Sequence, residues 1–186
     1  MTVHRILSLA FACFLLAACN NANDVATAPP APQEVTMDAV GHYCGMNLVE
    51  HPGPKGQIFV QGRDKPVWFS DIKQVFAYTL LPEEPKGLSA IYVNDMGKAR
   101  DWNQPEGDTW IDARQAFYVI ESRFVGGMGA EDALPFGDRA KADRFVKEHG
   151  GRVVGFADMP ENYILHHDEA ANAMPQDQHD STGAHK

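Results

Sequence analysis

Cysteine is scarce in this sequence, and none of the cysteines belongs to a paired motif. Only three occur among 186 residues. A zinc site built on cysteine pairs and a dithiol redox centre both need such pairs, so the sequence excludes these two classes. The glycine-rich loops that bind phosphate groups are missing as well.

Basic residues are also few. The chain has 16 lysines and arginines against 25 aspartates and glutamates, which gives a formal net charge of −9 at pH 7. Proteins that bind nucleic acid neutralise its phosphates with clustered lysine and arginine, so no nucleic-acid partner is expected. Hydrophobic residues make up 44% of the chain, which is enough for one folded domain.

The start of the chain has the pattern of a secretory signal. A short polar and basic segment precedes an apolar run over residues 6–18, which is too short for a comfortable membrane span. The run ends in Leu16-Ala17-Ala18-Cys19, which matches the bacterial lipobox. We therefore predict a signal peptide over residues 1–18, cleavage before Cys19 and attachment of acyl chains such as palmitate to Cys19. The alternative is an ordinary signal with an incidental cysteine.

A lipid anchor on Cys19 would hold the protein to the outer or the inner membrane, facing the periplasm. Cys13 would leave with the signal peptide, and Cys19 would be acylated. Cys44 then carries the one free thiol of the mature chain. A lone thiol in an oxidising compartment is a liability unless it is buried or used, so Cys44 is a candidate functional residue.

Three segments follow the signal peptide. Residues 19–34 are rich in Ala, Asn and Pro without apolar periodicity, and we predict a flexible tether there. Residues 35–165 should form the folded domain. Residues 166–186 are polar and hold four of the eight histidines, which is typical of a disordered tail that can bind divalent ions loosely.

Short strand patterns and two helical patterns alternate within the predicted domain. Strands are expected near residues 57–60, 67–69, 90–93, 109–112, 116–120 and 152–156, and helices over 72–78 and 139–148. Residues 67–71 resemble residues 134–138, and each segment leads into a helix. Ser70 or Asp71 is the predicted cap of the first helix. The repetition predicts an α+β fold in which two similar β-β-α halves pack as one domain.

Residues 42–47 carry the chemistry that stands out most. They place the thiol of Cys44 two residues from the thioether of Met46, with the imidazole of His42 two residues upstream. Thiolate and thioether are soft ligands that suit Cu(I). If the segment is an extended strand, His42 and Cys44 point to the same face. Cys and Met are also ordinary core residues, so the segment alone does not distinguish a metal site from core packing.

Other methionines are further candidates for soft ligands. Met128 stands in Gly126-Gly127-Met128-Gly129, where the flanking glycines offer its side chain few apolar neighbours. Met96 also lies in a loop-like segment, and Met159 precedes a proline. Met128 is the candidate we prefer among these three.

A cysteine-dependent enzyme is the rival class. Cys44 with His42 or His51 would make a thiolate–imidazole pair. The sequence offers no evident third group to orient the histidine, so we expect that the protein is not an enzyme.

Taken together, these features resemble the family of nitrous oxide reductase accessory proteins, NosL. The resemblance covers about residues 40–157 and follows an acylated start; its motifs are Tyr43-Cys44-Gly45-Met46, Phe69-Ser70-Asp71, Gly126-Gly127-Met128-Gly129 and Phe136-Gly137-Asp138. It implies a periplasm-facing lipoprotein that acts with a membrane ABC-type complex. It also implies a pair of β-β-α-like halves.

The resemblance further implies a function and a ligand set. The function is that of a Cu(I) chaperone that delivers copper for the copper-sulfide centre of nitrous oxide reductase. Cys44 and Met46 are the implied ligands, Met128 is the preferred third, and His42 remains a candidate. The alternative is a copper-sensing module that docks a membrane complex without transferring the metal.

Overall fold

Two antiparallel sheets, each with a helix inserted after its second strand, form the fold. The computed structural model describes residues 28–127 and 129–165. In chain order the elements are β1 (Gly56–Val60), β2 (Val67–Phe69), α1 (Ile72–Leu80), β3 (Leu88–Asn94), β4 (Trp110–Asp112), β5 (Phe117–Ile120), β6 (Leu134–Phe136), α2 (Arg139–His149), β7 (Arg152–Gly155) and α3 (Glu161–Leu165). Each predicted strand and helix has a counterpart in this order, so the α+β prediction is confirmed.

The two halves share one connectivity. In the first sheet the order is β2-β1-β3-β4, and in the second it is β6-β5-β7. The segments β1-β2-α1-β3 and β5-β6-α2-β7 therefore follow the same path, and the first strand of each segment lies between the other two. This arrangement matches the repeated sequence segments that precede the two helices.

A common core joins the halves. β1 is buried along its whole length, as expected for an apolar strand covered on both faces. Val75 and Phe76 of α1 belong to the same apolar cluster as Tyr118 and Ile120 of β5. Backbone pairing adds to this contact, because Met96 N donates to Pro135 O at 2.9 Å. The halves thus pack as one domain.

Several predictions need correction in detail. Met96, a candidate soft ligand, is 1% exposed and packs with Val119, Leu134 and Phe136, so it is a core residue. Met159 packs against the main apolar cluster. Asp71 occupies the N-cap position of α1, as predicted, but its side chain makes no capping hydrogen bond. The carboxyl group of Asp132, from the other half, accepts hydrogen bonds from the helix amides instead.

The chain contacts the domain earlier than predicted. Gln33 exchanges two hydrogen bonds with the buried side chain of Gln57, at 2.8 and 3.0 Å. The hydroxyl of Tyr92 donates to Pro30 O at 2.8 Å. Pro30 and Gln33 therefore already bind to β1 and β3, ahead of the predicted start at Val35. The predicted signal peptide, Cys19 and the predicted tail over residues 166–186 lie outside the described residues.

None of the helices in residues 28–127 and 129–165 combines the length and the apolar character needed to span a bilayer.

Lys55, the residue just before β1, is a buried cation. Its residue is 3% exposed, and its Nζ donates to Gly53 O at 2.9 Å. Burial lowers the pKa of Lys55 from 10.5 to about 8, although Asp101 opposes the shift. Water solvates a charged ammonium better than the protein interior does, which explains the direction of the shift.

We expect this lowered pKa to make the domain more stable as the pH rises above neutrality. The unfolded chain holds the Lys55 proton up to its ordinary pKa, whereas the folded chain releases it near pH 8, so folding becomes easier with rising pH. Between pH 7 and 9 the gain in unfolding free energy should be about 1 kcal/mol. Urea unfolding of wild type and Lys55→Met at both pH values measures it, and Lys55→Met should lack the gain. An exposed-lysine variant, Lys65→Met, is the control and should keep it. Equal gains in all three proteins would contradict the prediction.

Candidate metal centre

A tight turn over residues 41–47 holds the candidate ligands. Val40 and Asn47 pair as an isolated antiparallel bridge, and inside it Gly41 N donates to Met46 O at 2.9 Å. His42 N donates to Trp68 O at 2.8 Å, which fixes the turn to β2. Residues 42–44 are therefore in a turn and not in an extended strand. The expectation that His42 and Cys44 share a strand face is wrong, because the backbone closes on itself here.

Cys44 is half-buried and points toward the start of α1. Its Sγ lies 3.3 Å from Ser70 Oγ, the residue after β2. A Cβ on Gly41 would lie 2.5 Å from that same Sγ, so the turn has room for the sulfur only because residue 41 is glycine. Met46 is 38% exposed. The turn thus presents a thiol and a thioether within reach of an incoming ion.

His42 and Tyr43 are held by a shared acceptor. Glu84 Oε1 lies 3.1 Å from His42 Nε2 and accepts a hydrogen bond from the Tyr43 hydroxyl at 2.9 Å. The His42 ring also contacts Phe69 and Tyr78 edge-on, at centroid distances of 6.0 and 5.3 Å. Burial and the hydrogen bond to Glu84 raise the pKa of Tyr43, so its hydroxyl stays a donor. These contacts hold His42 and Tyr43 in place at the start of the turn.

The glycine-rich loop approaches from the second half of the fold. Met128 itself lies outside the described residues, but its neighbours are placed. Val125 and Glu131 pair as a bridge that closes the loop, and Gly126 N donates to Ala130 O at 2.8 Å. A Cβ on Gly127 would lie 2.2 Å from Pro52 O, so only glycine fits at that contact.

Pro52 follows the turn of residues 41–47 closely in the chain. Only the single 3₁₀ turn Leu48–Glu50 and His51 separate it from Asn47. Gly127 of the glycine-rich loop therefore packs against the segment that continues directly from the turn of residues 41–47.

Asp132 forms a second link between the halves. It is buried, and its carboxyl group accepts hydrogen bonds from Ile72 N and Lys73 N at the first turn of α1, at 2.9 to 3.1 Å. Burial, and then the neighbouring carboxyl group of Asp71, raise the pKa of Asp132 well above the usual carboxyl range. A residue just after the glycine-rich loop thus caps the helix that starts beside Ser70.

Sequence reasoning missed three residues at this centre. Ser70 was recognised only as a possible helix cap, although it contacts Cys44. Glu84 and Asp132 gave no local signal, because their partners lie about forty and sixty residues away in the chain. Besides residues 42–47 themselves, the repeated motif Phe69-Ser70-Asp71 and Phe136-Gly137-Asp138 was the sequence feature that pointed to this region.

The fold and the turn together define a class of protein. It is a small α+β domain that presents a cysteine and a methionine on a surface turn, the donor pair that suits a soft metal ion. Comparison with known proteins agrees with this class. The NosL family model matches residues 32–164. The chain belongs to the NosL family, so the resemblance seen in its motifs is confirmed.

Individual relatives cover nearly all of the domain. The copper-binding lipoprotein NosL of Achromobacter cycloclastes is 43% identical over 180 residues, which span 96% of this chain and 92% of that protein. The copper-binding lipoprotein NosL of Stutzerimonas stutzeri is 34% identical over 146 residues, or 77% and 73%. The crystal structure of the copper chaperone NosL from Shewanella denitrificans superposes with a TM-score of 0.67 at 30% identity, over 72% of this chain and 98% of that one.

The close approach of Gly41 to the Cys44 sulfur allows the geometry of the turn to be tested by substitution. Alanine at position 41 should push the Cys44 sulfur away from Ser70 and toward solvent, because the added Cβ would overlap it. We expect Cys44 to react with iodoacetamide several-fold faster in Gly41→Ala, as measured by mass spectrometry over time. Gly155→Ala is the control, since its φ of −83° suits alanine and an added Cβ there meets only Asp158 Oδ2, at 3.3 Å. An unchanged rate in Gly41→Ala would contradict the geometry of the turn.

Proposed function

We propose that this protein is a Cu(I) carrier that binds the ion at the turn of residues 41–47. The observation that carries the proposal is the placement of Cys44 and Met46 on one exposed turn, with the Cys44 sulfur against Ser70. Relatives described as copper-binding lipoproteins and as a copper chaperone support the metal and the role.

The ligand set follows from donor chemistry. Cys44 supplies a thiolate and Met46 a thioether, and both favour Cu(I) over harder ions. We assign Met128 as the third ligand, because its loop packs against Pro52, just after the turn. His42 is a candidate fourth ligand, which would have to rearrange its contact with Glu84.

Sulfur ligands near the surface suit a copper carrier better than a copper storage protein or an enzyme. A half-buried thiol and an exposed thioether on a turn let a partner's ligand approach before the first ligands leave, so copper need never be free. A store would need many sulfurs, whereas the full chain has three cysteines, of which one keeps a free thiol after processing. The family is one of copper-binding proteins and not of enzymes, so a thiolate–imidazole catalytic role for Cys44 is not proposed.

The lipid anchor and the partners complete the proposal. Cys19 carries the anchor, on the periplasmic side of the outer or the inner membrane. The recipient is nitrous oxide reductase, reached together with its ABC-type maturation complex. The acidic balance of the chain would favour a basic docking patch on the recipient through electrostatic steering.

Replacement of methionine by leucine separates a ligand from a core residue. Leucine keeps apolar volume but removes the sulfur, so Met46→Leu and Met128→Leu should each weaken Cu(I) binding about tenfold while the apo melting temperature barely changes. Met96→Leu is the matched control, because Met96 is buried in the core. Competition with a Cu(I) chelator measures affinity, and X-ray absorption should show one sulfur scatterer fewer. Full affinity in both ligand variants would remove them from the set.

Delivery of copper is tested with two purified proteins and in cells. Copper-loaded wild type should transfer Cu(I) to copper-free nitrous oxide reductase, and Cys44→Ser should neither bind nor transfer, since the thiolate is lost.

In a denitrifying host at limiting copper, Cys44→Ser should leave the reductase present but copper-poor. Cys19→Ala should impair delivery in cells yet keep binding in the purified domain. Binding without transfer would favour the copper-sensing alternative, and full metallation of the reductase with Cys44→Ser would rule out the carrier role.

A further inference from the structure

The hairpin of residues 37–47 carries a concentration of exposed apolar side chains. It makes up less than a tenth of residues 28–127 and 129–165, yet it holds half of their strongly exposed large apolar side chains. These are Met37 at 76%, Val40 at 49%, Tyr43 at 41% and Met46 at 38% exposure, and we term them the apolar rim. Single exposed apolar residues need no explanation, whereas a cluster commonly marks a surface that another molecule covers.

Backbone pairing holds the rim together. Val40 and Asn47 form the isolated bridge, Gly41 N donates to Met46 O at 2.9 Å, and the side chain of Asn47 donates to Met37 O at 2.5 Å. Residues paired across an antiparallel bridge lie about 5 Å apart. Met37, Val40 and Met46 are thus bonded to, paired with or next to the same asparagine, so they lie within one small area.

Packing inside the domain does not account for the apolar character of the rim. Met37, Val40 and Met46 belong to neither of the two apolar clusters found in the described part of the chain. Polar side chains at these positions would leave the core unchanged. The apolar surface here therefore fits contact with another molecule.

The rim surrounds the turn to which we assign the copper ion. Direct transfer requires a ligand of the recipient to reach the ion while Cys44 and Met46 still hold it. A protein interface of standard size covers about 800 Å² of each partner, which is roughly 30 Å across. A recipient centred on the turn therefore also covers Met37 and Val40, which are only a few residues away.

Carboxyl groups border this apolar surface. Asp38 and Glu50 are exposed, in the hairpin and shortly after it, and Glu84 accepts the hydrogen bond of the Tyr43 hydroxyl. Lys65 is the cation whose charge acts on Asp38. An apolar centre with a polar border is the usual composition of a protein–protein interface. The complementary surface is apolar and bordered by lysine or arginine.

We propose that the apolar rim is the docking surface for the protein that receives copper, and that the matching surface of this protein is apolar with a cationic border. The inference rests on the proposed function, because docking beside the turn serves transfer only if the turn carries the ion. It gives Met37 and Val40 a role in recognition of the recipient and none in holding the metal.

Two substitutions of Met37 separate docking from metal binding. Met37→Leu removes the sulfur and keeps the apolar surface, whereas Met37→Ser removes both. Docking needs only the apolar surface, so Met37→Leu should behave as wild type. Val40→Ser is a second probe, because Val40 pairs with Asn47 through its backbone and the hairpin should still form.

The test follows copper transfer from full-length, Cu(I)-loaded variants. The probe is copper-free nitrous oxide reductase with membranes that contain its ABC-type complex, added at a fixed ratio and at rising concentration. Met37→Ser and Val40→Ser should each raise the concentration that gives half the maximum transfer rate about fivefold, as loss of an interface contact does. The maximum rate and the Cu(I) affinity, measured with a competing chelator, should stay at wild-type values.

Leu165→Ser is the matched control. Leu165 is 38% exposed, as Met46 is, but lies outside the hairpin, so transfer should not change. Unchanged half-maximum concentrations in both rim variants would overturn the inference, and so would an equal increase in Leu165→Ser or a loss of Cu(I) affinity in Met37→Leu. Melting temperatures report on folding; if Val40→Ser melts earlier, Met37→Ser decides the result.

Ionic strength tests the cationic border of the recipient. At low recipient concentration the transfer rate of wild type should fall several-fold between about 0.05 and about 0.3 M NaCl, because salt screens opposite charges. The double variant Asp38→Asn, Glu50→Gln should show a weaker dependence. A rate of wild type that does not respond to salt would overturn this part of the proposal.

Two other occupants of the rim are separated by binding experiments. Binding of Cys19→Ala to phosphatidylglycerol vesicles that Met37→Ser abolishes, with transfer unchanged, would identify a bilayer surface and overturn the proposal. A wild-type dimer in sedimentation experiments that Met37→Ser dissociates would identify a second copy of the chain and overturn it as well.

The proposed function has its own signature. Cu(I) binding by wild type that Cys44→Ser abolishes supports the function whatever the rim variants do. With that result in hand, normal transfer by both serine variants overturns the docking surface alone. Absence of Cu(I) binding by wild type would overturn both.

Discussion

A carboxyl group that folding buries must find hydrogen-bond donors, and in this domain Asp132 finds them at the first turn of α1. Those donors belong to the other β-β-α segment, so satisfying one polar group fixes how the two halves meet. A helix start offers unpaired amides and a favourable dipole, which makes it one of the few buried places suited to an acidic side chain. The relative position of Ser70 and the glycine-rich loop follows from this contact.

As the proposed copper site, the turn of residues 41–47 has to meet two opposed requirements. A carrier must hold its ion firmly enough to keep it from solution and loosely enough to release it. The backbone hydrogen bonds of the turn, its attachment to Trp68 and the bracing of His42 and Tyr43 by Glu84 supply rigidity. The exposure of Met46 supplies access. The backbone and the surrounding side chains would thus hold the ion firmly, and the position of the proposed ligands at the surface would give a partner access to it.

Sequence patterns captured the local features of the fold and missed the ones that depend on distant partners. Strand and helix positions followed from apolar periodicity, and the repeated motif before α1 and α2 revealed the two similar halves. The same motif gave the N-cap position of Asp71 correctly, but only the fold shows that Asp132 and not Asp71 accepts the hydrogen bond of the helix amide. Alternation along a strand failed for His42 and Cys44, since the segment folds into a turn closed by a bridge. Met96 looked loop-like, yet its neighbours from β5 and β6 bury it.

The hydrogen bonds of Pro30 and Gln33 to the first sheet have a mechanical consequence. If the lipid anchor is on Cys19, only about ten residues separate it from the first point where the chain is fastened to the domain. Even fully stretched, that length spans no more than about 35 Å. The domain would then stay close to the membrane and could reach only recipients within about a molecular diameter of the bilayer surface. Its local concentration there would be high even at low expression.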